Sequence, residues 1–301
     1  MPRHLTEDAL ARIARLELEA RETVEGFLTG QHRSPYFGQS LEFAQHREYA
    51  PGDDIRRIDW KVLSKTDKVY LKQYEEETNL RTTLVVDASE SMRFGGPAKK
   101  GEQPHTKFDQ ACRLAAALAY MLLRQQDSVG AVVFDDGVRS QVPGRTAQNH
   151  LRTILAALAA EEASKKTGVA DVLRAVADQK TQRGLVILLS DLFVDLGDLR
   201  RGLEFLRSRR HEVIVFQILD DAELSFDFSG TTRFVGLEDA GELTCDPRSL
   251  REGYLKALDG FLESAAKTCF KTGADHMLVR TGERPSAPLA EFLARRARPR
   301  R

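Results

Sequence analysis

Leu84-Val85-Val86-Asp87-Ala88-Ser89-Glu90-Ser91-Met92 passes within one residue from strand-forming apolar side chains to a carboxylate and two hydroxyls. A β-branched and leucine-rich run that ends in small polar residues reads as a central parallel strand delivering a loop at its carboxyl end. In open α/β sheets that is where ligands bind. Asp87, Ser89 and Ser91 alternate along the chain, so a tight, extended loop lets their oxygens converge on one point. One carboxylate and two hydroxyls are hard donors, suited to Mg²⁺ or a similar cation rather than to zinc.

Downstream of this stretch, strands and helices alternate, the pattern of a doubly wound, mostly parallel sheet with helices on both faces. Strands are expected at about 82–87, 129–134, 184–189, 212–219 and 276–279, with a short edge strand at 138–142. Helices are expected at about 106–125, 147–160, 169–178, 196–207, 247–272 and 288–295. Two regions fall outside the βα order. One is 41–74, with candidate strands at 41–49 and 69–74, and the other is a hairpin within 225–246. The expectation is that they pair into one small antiparallel β subdomain.

Ahead of both, Leu10, Ile13, Leu16, Ala20, Val24 and Phe27 recur at helical spacing, which predicts an amphipathic helix packed on the main domain. The expected organisation is therefore an N-terminal helix in 1–30, a β segment in 31–80, the α/β domain in 81–296 and a basic tail in 297–301. Between the two candidate strands of the β segment lies Pro51-Gly52-Asp53-Asp54-Ile55-Arg56-Arg57-Ile58-Asp59-Trp60, which includes the only tryptophan. Its charges are matched in sign, which favours a charge-paired corner anchored by Trp60 over an acidic site.

The chain has 301 residues, enough for a substantial core. Its 45 basic side chains balance 45 acidic ones, so no global field argues for nucleic acid or a membrane surface. Cys112, Cys245 and Cys269 lack metal-ligand spacing. The N-terminus lacks a signal-peptide core, and no apolar run has the length of a membrane span, which predicts a cytoplasmic location.

One loop does not enclose an octahedral ion, so other strand ends must contribute. Asp191 follows the very apolar run 184–189, and Thr167-Gly168 opens a helix after Ser164-Lys165-Lys166. If the strands ending at Asp87 and before Asp191 are neighbours at the switch point, the two carboxylates face one crevice, within reach of the threonine. Thr146, Thr181 and Ser164 are alternative loop hydroxyls.

These residues carry a resemblance. Asp87-x-Ser89-x-Ser91, the later threonine and the later strand-end aspartate resemble the metal-ion-dependent adhesion site of von Willebrand factor type A domains. The segment Pro51 to Trp60, together with the region around Tyr254, further resembles the bacterial family called domain of unknown function fifty-eight. The resemblance implies that the Ser89, Ser91 and Thr167 hydroxyls coordinate Mg²⁺ or Mn²⁺ directly, with Asp87 and Asp191 acting directly or through water. It also implies an open position filled by a partner protein's carboxylate, and association with a MoxR-type AAA+ ATPase as adaptor or assembly factor, not as an enzyme.

The enzymatic rival is a Mg²⁺-dependent phosphotransferase or phosphatase with Asp87 as nucleophile. Such enzymes favour a second aspartate where Ser89 stands, and of the lysines only Lys99, Lys100 and Lys107 are candidates to neutralise a phosphoryl group. No GxSxG elbow or GxxxxGK[ST] loop is present. The simplest competing account is that Asp87, Ser89 and Ser91 merely cap a turn and the following helix.

Overall fold

The computed structural model describes residues 7–30, 43–49, 58, 60, 62, 69–74, 80–97, 104–160, 168–179, 183–228, 230–236 and 241–296. Two compact units divide the chain, residues 31–79 and the remainder.

The larger unit is built on a six-stranded sheet. Its strands are β3 (Arg81–Asp87), β4 (Ser128–Phe134), β5 (Val138–Arg145), β6 (Leu185–Ser190), β7 (Glu212–Leu219) and β10 (Asp275–Arg280), ordered β10-β7-β6-β3-β4-β5. All neighbours pair in parallel except β4 with β5. Counted along the chain this is the order 3-2-1-4-5-6 of doubly wound folds, with one antiparallel edge strand. β3 is followed by β4 on one side and pairs with β6 on the other, which makes its carboxyl end the switch point. Sequence and structure differ at β5, which runs on to Arg145 through Pro143. Proline lacks a ladder donor and is tolerated on an edge strand.

Helices cover both faces because each central strand is apolar on both. Leu84 and Val86 of β3 face one core, together with Leu185, Ile187 and Leu189 of β6. Against them pack α1 (Glu7–Gly30), α2 (Lys107–Arg124), α3 (His150–Ala160) and α8 (Ser286–Arg296). Val85, Val186 and Leu188 face the other core, covered by α4 (Val169–Gln179), α5 (Leu196–Ser208) and α7 (Pro247–Thr272). The expectation for α1 holds: Leu16, Ala20 and Val24 are buried in the first core, and Arg12 and Glu19 form ion pairs with Asp109 and Arg113 of α2. Among the described residues, no helix is long and apolar enough to cross a membrane.

A short helix that periodicity does not reveal, α6 (Asp221–Ser225), follows β7. The hairpin β8 (Thr232–Val235) and β9 (Glu242–Cys245) pairs with itself, as do β1 (Phe43–Glu48) and β2 (Tyr70–Tyr74) of the smaller unit. Among the described residues each forms its own two-stranded sheet. Both strand pairs are closed by their own cross-strand ladders; β8 and β9 gain in addition the Arg233–Glu242 ion pair. In the segment from Pro51 to Trp60, Ile58 and Trp60 alone are described, and Trp60 is 64% exposed rather than an anchor. The basic tail from 297 to 301 lies outside the described residues.

Candidate metal centre

Asp87 is the last residue of β3 and is completely buried. Its Oδ1 accepts from the Ser89 amide at 2.9 Å, a local turn that aspartate favours. Its Oδ2 accepts from the Ser190 hydroxyl at 2.6 Å. Ser190 is the last residue of β6 and its Oγ also accepts from the Leu192 amide at 3.0 Å. One serine thus clamps the loop after β3 to the loop after β6. The Ala88 amide donates to the Phe134 carbonyl at 2.6 Å, which ties the same loop to the end of β4.

Ser89 and Ser91 follow, the first fully buried and the second half-buried toward solvent. Their Oγ atoms lie 3.1 Å apart. Residues Glu90–Arg93 form a single 3₁₀ turn with Ser89 at its N-cap, yet the Ser89 side chain makes no capping hydrogen bond. The helix beyond, α2, is capped by its own Thr106 and Asp109 in a reciprocal box. Capping therefore does not account for the Ser89 hydroxyl, which is hydrogen-bonded to that of Ser91. Adjacent oxygens of an octahedron built at Mg²⁺ distances sit roughly 3 Å apart, and the serine pair has that spacing.

Asp191, 1% exposed, begins the loop after β6. Its Oδ1 accepts from the Phe193 amide at 3.0 Å, and its backbone carbonyl accepts from Gln217 Nε2 at 3.1 Å. The next residue, Leu192, is buried with φ +62°. A bulky side chain in the left-handed region is strained, and here the strain sits in the turn directly after Asp191. Gly168 lies at the third loop: its amide donates to the Asp135 carbonyl at 2.6 Å, and a Cβ there would meet the Asp136 carbonyl at 2.6 Å. The backbone entering α4 therefore lies against the end of β4. Thr167, the adjacent residue, is outside the described residues, as are Ser164 and Thr181. Asp87, Ser89, Ser91 and Asp191 are thus set on adjoining strand ends.

Lys107, a candidate by sequence to neutralise a phosphoryl group, has carboxylate partners in the structure. This first residue of α2 is 0% exposed, and its Nζ donates to Asp191 Oδ2 and to Glu223 Oε1, each at 2.8 Å. The Phe193 ring lies 4.6 Å from the ammonium and the Phe94 ring 5.8 Å. Glu223 sits at the third position of α6, and its Oε2 accepts from the Asp220 amide at 2.8 Å. Glu223 was missed by sequence reasoning. The signals were a lysine at a helix N-terminus, where the macrodipole disfavours it, and Asp220-x-x-Glu223, a capping-box pattern.

The electrostatics follow from burial. Desolvation, reinforced by Asp191, pushes the Asp87 carboxyl up to about 7, against the hydrogen bonds from Ser190 and Ser89. Desolvation also raises Glu223, while Lys107 opposes that shift. Lys107 is raised: burial disfavours its charge, but the attraction of Asp191 and Glu223 outweighs burial. With Asp87 ionised, the cluster holds three carboxylates against one ammonium, an excess that a divalent cation beside the serines would neutralise. Among the described residues no three His, Cys, Asp or Glu side chains form a metal cluster of their own.

The fold is a doubly wound, mostly parallel α/β domain with helices on both faces of its sheet. Residues 45–260 match the family described as Protein of unknown function DUF58, and the chain belongs to that family. It is similar to an uncharacterized protein of Mycobacterium tuberculosis (strain ATCC 25618 / H37Rv), 29% identical over 298 residues, covering 96% of this chain and 90% of the relative. Among solved structures it is similar to the conserved hypothetical protein BatB from Bacteroides thetaiotaomicron, with 14% identity and a TM-score of 0.47, covering 73% of this chain and 99% of that one. The SpRpn10 VWA domain is similar at 13% identity and a TM-score of 0.38, covering 70% of this chain and 95% of the other.

Proposed function

We propose that this chain is a divalent-cation-dependent protein-interaction module. Ser89, Ser91 and Thr167 hold Mg²⁺ or Mn²⁺ through their hydroxyls, and Asp87 and Asp191 supply the surrounding negative charge. The ion supplies a Lewis-acidic position that neutral hydroxyls leave under-neutralised and that a partner's carboxylate completes. The observation that carries this reading is the pair of hydrogen-bonded serine hydroxyls with oxygens 3.1 Å apart, of which Ser89 makes no capping bond, beside a fully buried aspartate that accepts from the Ser89 amide and the Ser190 hydroxyl. The half-buried position of Ser91 leaves an approach from solvent.

The partner is an acidic surface of a client or of a MoxR-type AAA+ ATPase, and the chain acts as adaptor or assembly factor in the cytoplasm. This rests on the family resemblance of the Asp87-x-Ser89-x-Ser91 and Pro51 to Trp60 motifs. Size-exclusion chromatography of the purified chain with the purified ATPase from the same cell tests it. Co-elution is expected in millimolar Mg²⁺, with loss in chelator and in Ser89→Ala/Ser91→Ala. Co-elution that persists in chelator overturns the metal-bridged contact.

The phosphotransferase reading is disfavoured by Asp87 itself, whose two oxygens accept hydrogen bonds within the core, and by Lys107, which is engaged with Asp191 and Glu223. Turnover of a phosphate monoester that disappears in Asp87→Asn would restore it.

A further inference from the structure

Lys107 carries an inference about how the site is regulated. A cation at the N-terminus of a helix works against the macrodipole, and a fully buried ammonium persists only where specific anions hold it. Here the anions come from two different segments, a loop and a short helix. Asp191 belongs to the strand-end loop after β6, and Glu223 is fixed on α6 by the Asp220 amide. The loop between the 3₁₀ turn and α2 is close-packed on the same region, since a Cβ at Gly96 would meet Asp220 Oδ1 at 2.6 Å. Lys107 is held at its backbone as well, where its amide donates to the Phe94 carbonyl at 2.9 Å. Both oxygens of Asp191 are consequently engaged, Oδ1 by the Phe193 amide and Oδ2 by the ammonium.

We propose that Lys107 is a built-in cation that holds Asp191 away from direct coordination, with Glu223 keeping the ammonium in place from its far side. This rests on the metal reading above and deepens it. Asp191 then acts on the ion from beyond its inner sphere, the inner sphere keeps its water, and affinity for the free ion stays low until a partner's carboxylate arrives. Lys107 and Glu223 are positioning residues that set the ion's dependence on a partner.

The test uses Mn²⁺ as probe and counts its inner-sphere waters by pulsed electron paramagnetic resonance in ¹⁷O-labelled water, alongside calorimetric affinity. The decisive variant is Lys107→Met/Glu223→Gln, which removes one positive and one negative charge and so leaves the net charge of the cluster unchanged. Long-range electrostatics alone predicts no change in it. The proposal predicts one water fewer and Mn²⁺ bound about tenfold tighter or more, because Asp191 is released to coordinate. Both effects should vanish when Asp191→Asn is added.

Wild type and the Asp191→Asn single variant should show the same water count, a comparison that stands even if the double variant fails to fold. A water gained in Asp191→Asn means that Asp191 is already an inner ligand, and the proposal falls while the metal site stands. A double variant with the wild-type count and affinity overturns it as well. Absence of Mn²⁺ from every variant and from wild type overturns the metal reading itself.

Discussion

Asp87 shows at the scale of one residue how burial shapes the site. Its carboxyl lies among apolar strand residues, it accepts two hydrogen bonds from neutral donors, and desolvation and Asp191 raise it to about 7. The unfolded carboxyl releases its proton near pH 4. A group whose folded value is raised contributes stability at low pH and loses it as pH climbs through the folded value. In metal-free buffer, melting temperature should therefore decline between about pH 4 and pH 7 through Asp87. Asp87→Asn, which has no proton to release and preserves a carbonyl acceptor, should flatten that decline and melt higher at pH 7. The same variant should lose any stabilisation by Mg²⁺. Calorimetric melts across pH, with and without Mg²⁺, measure both effects. A variant that melts lower than wild type at pH 7 without metal contradicts the account.

The strand-end loops and the helices behind them act at the scale of elements. Ser190 joins the loops after β3 and β6, Ala88 ties the first to β4, and Gly168 presses the backbone entering α4 onto the turn after β4. Gly168→Ala would place a methyl 2.6 Å from a carbonyl oxygen. The loop must then shift, at a cost of about 1–3 kcal/mol in urea unfolding, and Mg²⁺ binding should weaken with it. Full retention of both would mean that the third loop is not part of the site. On the far side of the sheet, α1 is integral to the core. Leu16, 5% exposed, belongs to the cluster that includes α2 and α3, so Leu16→Ala should cost about 2–4 kcal/mol. A loss under about 0.5 kcal/mol would show α1 to be a detachable appendage.

At the scale of the whole molecule, what was legible in the sequence is what the chain encodes locally. The βα alternation is legible because β3 and β6 are apolar on both faces and each ends in polar residues. The Asp87-x-Ser89-x-Ser91 loop is legible because its donors lie within five residues. The Lys107 to Glu223 pair was not, since its members are separated by 116 positions and meet only once β3, β6 and β7 lie side by side. α6 escaped because five residues are too few to show a helical period. The strands within 41–74 and the hairpin within 225–246 were expected to pair because short alternating strands do not specify their partner; among the described residues each pair closes its own ladder. Trp60, expected as an anchor from its apolar bulk, is largely exposed, because a single large side chain amid charges carries no periodic signal of what it faces. The central claim, that oxygens gathered at the ends of adjoining strands hold a divalent ion, is tested most directly by isothermal titration of Mg²⁺ and Mn²⁺ into wild type and Ser89→Ala/Ser91→Ala. Saturable one-site binding by wild type and its loss in the variant is the result expected; equal binding by both, or none by either, would contradict it.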